Sequence, residues 1–145
     1  LNLKNIIVQD SSYRGIKDKV MLIDFDFSGP HHPMYDLANF FREWVGDDFN
    51  LDLLPTEKQK RSIVKKYLKK RSNQKIKSRQ VDQAMTLITE FETLSDFHWA
   101  IWAYHYQFKN DLHHKRGQGF DYLLYGLQRL SSWKKSPFTL ILLTK

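Results

Sequence analysis

Apolar positions open the chain as two short runs, Ile6-Ile7-Val8 and Val20-Met21-Leu22-Ile23, separated by a turn-like stretch from Asp10 to Gly15. Two β-branched runs around a polar connection predict a β-hairpin. Ser28-Gly29-Pro30-His31-His32-Pro33 cannot be regular structure. From Tyr35 to Trp44 the spacing of Leu37, Phe40, Phe41 and Trp44 is helical, and Gly46 can end that helix. Thr56 is a natural N-cap for a second helix, whose apolar face is Ile63, Val64, Tyr67 and Leu68. Ser72 to Ser78 reads as a linker. A long helical pattern follows from about Val81 to Phe108. Val81, Met85, Ile88 and Phe91 share one stripe, and Ala84, Leu87, Leu94 and Ile101 another. It fits one long helix or two in sequence. Asn110 to Gly119 is a polar loop. Phe120 to Leu130 predicts a last helix with Leu123, Leu124, Leu127 and Leu130 on one stripe. The remainder, from Ser136 to Lys145, reads as strand-like or disordered. The fold class is therefore α+β, mostly α: a short hairpin followed by helices.

Composition narrows the chemistry. With 145 residues there is room for one domain or part of a larger one. There is no cysteine, which excludes a disulfide scaffold, a Cys-ligated zinc site and a thiol nucleophile, and suits a cytoplasmic protein. The apolar run from Phe138 to Leu142, with Thr139 inside it, is too short to span a bilayer. A chain that begins on Leu1 and runs at once into a strand is expected to belong to something longer.

The formal charge of +7 is local. Lys58 to Arg79 holds eleven Lys and Arg and no acidic residue, and outside that segment 12 basic residues face 16 acidic ones. Such a run suits a nucleic-acid or anionic-membrane patch, or a solvated helix face. Tyr67 is its only aromatic residue, so it lacks the stacking side chains of nucleic-acid binders, and no nucleic-acid partner is expected.

Two constellations could carry chemistry. Asn5 and Asp24 each sit at the end of a predicted strand that the hairpin would bring together. An amide oxygen and a carboxylate are hard ligands suited to Mg²⁺, which keeps waters or phosphate oxygens in its other positions. The same residues also fit an Asn in a turn and an Asp ending a strand. Trp99 and Trp102, three apart, share a helix side. With Tyr122 they could surround a quaternary ammonium by cation–π attraction, or simply pack as core.

The surrounding letters resemble the choline/ethanolamine kinase family. Ile23-Asp24-Phe25-Asp26-Phe27 and Tyr35-Asp36-Leu37-Ala38-Asn39-Phe40-Phe41-Arg42-Glu43-Trp44 are similar to its I-D-F-E-Y and F-D-(I/L)-(G/A)-N-H-F-x-E-W segments. Phe97-His98-Trp99-Ala100-Ile101-Trp102 resembles H-F-x-W-G-L-W, and Gly119-Phe120-Asp121-Tyr122 resembles G-(Y/F)-x-D-Y. Leu1-Asn2-Leu3-Lys4-Asn5 would close the family's H-x-D-x-x-x-x-N loop, with the H-x-D directly upstream. The resemblance implies the C-terminal lobe of a protein-kinase-like fold over residues 1–135, a tail outside the family pattern over 136–145, and an N-lobe lying upstream.

The resemblance also implies roles. Asn5 and Asp24 become Mg²⁺ ligands, Glu43 sits near the substrate's cationic head, and Trp99, Trp102 and Tyr122 form the wall around it. ATP and choline or ethanolamine are the implied substrates, and a homodimer the implied assembly. No catalytic base is expected within the chain, so these 145 residues alone are expected to be inactive. A non-catalytic paralogue that keeps only the amino-alcohol pocket is the alternative. Asp26 and Phe27 depart from the usual Glu and Tyr. Asp48 stands where choline kinases often place an aromatic, which leaves ethanolamine open. Asp36 is expected to fix the loop at its helix start, His31 and His32 to be loop residues rather than a metal pair, His98 to be buried near the pocket, and His113 and His114 to be exposed loop.

Overall fold

A computed structural model describes residues 2–9, 19–110 and 120–136. Strands β1 (Ile6–Gln9) and β2 (Lys19–Leu22) pair antiparallel with Ile6 opposite Leu22 and Val8 opposite Val20. A further bond from Ile23 N to Asn5 O, 3.0 Å, extends the pairing past the strand ends. The expected turn at 10–15, the loop at 111–119 and the tail at 137–145 lie outside the described residues.

Helix α1 (Pro33–Arg42) begins two residues before the expected Tyr35. Pro33 supplies the φ that a first helical turn needs, and His32, not Asp36, is the N-cap, its Nδ1 accepting from Met34 N at 3.2 Å. Asp36 lies instead in the first turn, where a negative charge complements the helix dipole. A single 3-10 turn, Glu43–Val45, continues α1 and ends at Gly46, whose φ of 67° suits glycine.

Helix α2 (Glu57–Ser72) starts with a capping box. Thr56 accepts from Gln59 N, and the Gln59 side chain accepts from Thr56 N. It ends at Asn73, in the left-handed region at φ 53°. Val64 is fully buried, with Ile63, Tyr67 and Leu68 packed beside it, which is the expected face. Helix α3 is one uninterrupted helix, Ser78–Asn110. Val81, Ala84, Met85 and Ile88 join Met34, Ala38, Phe41 and Val64 in a single core between α1, α2 and α3. Burying a side chain such as Phe41 or Ile88 contributes about 1.5–3 kcal/mol.

Helix α4 (Tyr122–Lys135) is capped by Asp121, which accepts from Leu124 N at 2.8 Å. Its leucine stripe is its outer side: Leu123, Leu124 and Leu127 are 46%, 52% and 49% exposed. The buried side is Tyr125, Gly126 and Arg129. Gly126 lets α4 approach α3 closely, because a Cβ there would stand 3.2 Å from Ala103 Cβ and 3.5 Å from Ala100 O. Among the described residues no helix is long and apolar enough to cross a membrane.

Candidate functional site

The hairpin brings the two expected metal ligands together. Asn5 Nδ2 donates to Asp24 Oδ2 at 3.3 Å. Asp24 holds φ 60°, a left-handed conformation that costs a non-glycine residue about 1–3 kcal/mol and is typical of functional positions. Its carboxylate is exposed. No cluster of three or more His, Cys, Asp or Glu side chains suited to a metal occurs among the described residues. A site here therefore rests on an amide oxygen and one carboxylate, a hard-oxygen set that fits Mg²⁺ with its remaining positions left to water and phosphate.

The aromatic residues also converge. The rings of Trp99 and Trp102 lie 5.4 Å apart and nearly perpendicular, and Trp102 lies 5.5 Å from Tyr122. Tyr106, one turn beyond Trp102, stacks on Tyr122 at 5.7 Å and 13° and lies 4.9 Å from Trp102. Phe120 closes the edge at 4.9 Å from Tyr122. Sequence reasoning missed Tyr106; its i+4 spacing from Trp102 is the signal that could have found it, but its stacking depends on α4 returning beside α3. Trp102 Nε1 and Trp44 Nε1 are buried without a partner among the described residues. His98, expected to be buried, is exposed and meets Trp99 edge-on at 5.2 Å.

The wall is anchored by α1. Asn39 Oδ1 accepts from Trp99 Nε1 at 2.6 Å and from Ser95 Oγ at 2.8 Å. One turn later on the same helix side comes Glu43. Its Oε1 accepts from Arg129 Nη2 at 2.7 Å and its Oε2 from Asn2 Nδ2 at 3.0 Å. Asn2 caps the 3-10 turn Leu3–Asn5 that carries Asn5. Phe27, three residues beyond Asp24, meets Trp99 edge-on at 5.8 Å. These two links join the Asn5–Asp24 pair to the aromatic wall.

Behind Glu43 lies a buried ionic cluster that sequence reading missed. Asp96 accepts from Arg42 through both oxygens, at 3.0 and 2.9 Å, and from Arg129 Nη1 at 3.0 Å. Arg42 Nη2 also donates to Ser132 Oγ, and Arg129 Nε to the Tyr125 hydroxyl at 3.0 Å. Both guanidiniums lie against the ring of Phe49, at 5.8 and 5.2 Å, with Phe49 held at φ 52°. Arg129 is 1% exposed. Burial pulls its pKa down, but Tyr125, Glu43 and Asp96 outweigh burial and leave it raised. Burial pushes the Glu43 carboxyl up, against the opposing pull of Arg129. Tyr125 is pushed up to about 12, chiefly by burial.

A short hairpin that leads through a strained aspartate into a helical bundle is the C-terminal lobe of a protein-kinase-like fold. The sequence model described as choline/ethanolamine kinase matches residues 1–134, and the chain belongs to that family. It is 26% identical over 129 residues to a probable ethanolamine kinase of Arabidopsis thaliana, which covers 88% of this chain and 33% of that protein. It is 27% identical to a probable ethanolamine kinase of Nematostella vectensis, over 90% of this chain and 36% of that one. An ethanolamine kinase of Plasmodium vivax superposes with a TM-score of 0.71 at 27% identity, over 92% of this chain and 31% of that one. The chain thus spans about a third of the length of these relatives.

Proposed function

We propose that the parent protein transfers the γ-phosphoryl group of ATP to the hydroxyl of an amino alcohol, choline or ethanolamine, in a Mg²⁺-dependent reaction in the cytoplasm. The observation that carries this reading is the convergence of Trp99, Trp102 and Tyr122 into one wall tied, through Asn39 and Glu43, to the turn of Asn5. In this reading the indole and phenol faces hold the ammonium by cation–π attraction and exclude water. Glu43, four residues after Asn39 and clamped by Arg129 and Asn2, supplies a charge of the right sign. The Asn5 amide oxygen and the Asp24 carboxylate hold Mg²⁺, which when bound offsets the charge on the nucleotide phosphates. The group that accepts the hydroxyl proton is expected upstream of Leu1, in a kinase-type His-x-Asp. Relatives named as ethanolamine kinases make ethanolamine the first substrate to test.

The test is phosphorylation of ethanolamine and of choline by the full-length protein with ATP and Mg²⁺. Asp24→Ala is expected to lower kcat at least about a hundredfold, and Trp99→Ala to raise the KM for the amino alcohol. Saturable amino-alcohol binding with no phosphorylated product would instead identify a binding module.

A further inference from the structure

We propose that Arg129 is a positioning residue for amino-alcohol binding, fixing the Glu43 carboxylate between α4 and the Asn2 turn while Asp96 holds Arg129 in place. The inference rests on the proposed role of Glu43 at the cationic end of the substrate. It goes further in assigning the group that aims that carboxylate.

The geometry is directional. Each Glu43 oxygen has one donor from a different part of the fold, Arg129 from α4 and Asn2 from the turn that carries Asn5. The carboxylate is therefore clamped at both ends. Arg129 has no freedom of its own, because its three nitrogens are divided among Tyr125, Asp96 and Glu43. Asp96 is in turn fixed by the two-point contact with Arg42. A planar fork of fixed donors orients a carboxylate in a way that a lysine cannot.

Stability alone accounts poorly for this arrangement. Buried ion pairs add little net stability over well-packed apolar residues, because desolvation offsets most of the attraction. Four buried charges on three elements, two positive and two negative, make sense if one must stay ionised and stay put. That one is Glu43, the most exposed of the four. It also lies one turn from Asn39, which holds Trp99.

The test uses the full-length protein with ethanolamine and choline as probes. KM for the amino alcohol, KM for ATP, kcat and Tm are measured for Arg129→Met, Arg129→Lys, Asp96→Asn and Glu43→Gln. Arg129→Met is expected to raise the amino-alcohol KM at least about tenfold, the worth of a hydrogen bond to a charged group, and to leave the KM for ATP unchanged. Arg129→Lys should recover part of the loss. Adding Arg129→Met to Glu43→Gln should raise KM no further, because both act through one contact.

A fall in Tm with the amino-alcohol KM unchanged would overturn the proposal and leave Arg129 a structural tie. Should Arg129→Met fail to fold, Arg129→Lys and Asp96→Asn carry the same comparison. A wild-type KM in Glu43→Gln would remove the underlying reading of Glu43, and that failure is recognisable because it arises with Arg129 intact.

Discussion

Single residues here hold conformations and charges that their surroundings must sustain. Asp24 and Phe49 both sit at positive φ without being glycine. One presents an exposed carboxylate beside Asn5, and the other lays its ring on two guanidiniums. The Glu43 side chain is only 10% exposed, and its carboxyl is pushed above the ordinary glutamate range because desolvation outweighs Arg129. The sign of the consequence follows directly. As pH falls, Glu43 takes up a proton at a higher pH than a free glutamate would, and a neutral carboxyl no longer attracts an ammonium group. The KM for ethanolamine is therefore expected to climb on the acid side, at a higher pH than an ordinary glutamate would give. Glu43→Gln should abolish that limb. A wild-type KM that stays flat across the acid range would count against Glu43 as the titrating contact. Asn5, Asp24, Glu43, Trp99, Trp102 and Tyr122 were all legible as candidates, because their types and order carry a family pattern. Asn39 stood out only as a letter of that pattern, and Asp96 and Arg129 not at all, because a polar residue on a helix looks the same whether it faces water or a buried partner.

At the scale of elements, caps and close approaches decide the boundaries. Thr56 announced α2, and the structure adds Gln59 as the other half of a capping box. Pro33 and His32 moved the start of α1 ahead of its first periodic residue. The α3–α4 contact was the least legible. Periodicity marked the leucine stripe of α4, yet the helix packs through Tyr125, Gly126 and Arg129. A stripe tells which residues share a side, not which side finds a neighbour. Gly126→Val is expected to force α4 away from Ala103 and Ala100 and to destabilise the fold by about 1–3 kcal/mol. It should also disturb the wall, because Tyr122 and Arg129 ride on the same helix. Chemical denaturation and the intrinsic tryptophan fluorescence of the variant would read both effects. An unchanged midpoint would show that the helices have slack at this crossing.

Over the whole molecule, apolar surface is unevenly covered. α1, α2 and α3 share a closed core. The hairpin region leaves Val8, Val20, Met21, Phe25 and Phe27 between 56% and 64% exposed. Lys60 with Glu92 and Arg61 with Asp82 tie the basic helix α2 to α3. The other cations of that helix, Lys58, Lys65, Lys66, Lys69, Lys70 and Arg71, are exposed. The 145-residue polypeptide produced alone is expected to bind a hydrophobic dye strongly and to associate with itself. It contains no His-x-Asp triplet, so it is also expected to form no more phosphoethanolamine from ATP than its Asp24→Ala variant. Product above that control would show that the base lies within these residues. The sequence by itself determined the elements and the chemistry-bearing letters, because hydrophobic period, caps and motif order are local properties of a chain. Only the tertiary structure decided which faces meet. It set Tyr106 on Tyr122, Asn39 under Trp99, and Arg129 between Asp96 and Glu43. Those pairings join residues up to 86 positions apart, and burial, which selects them, is a property of the packed molecule.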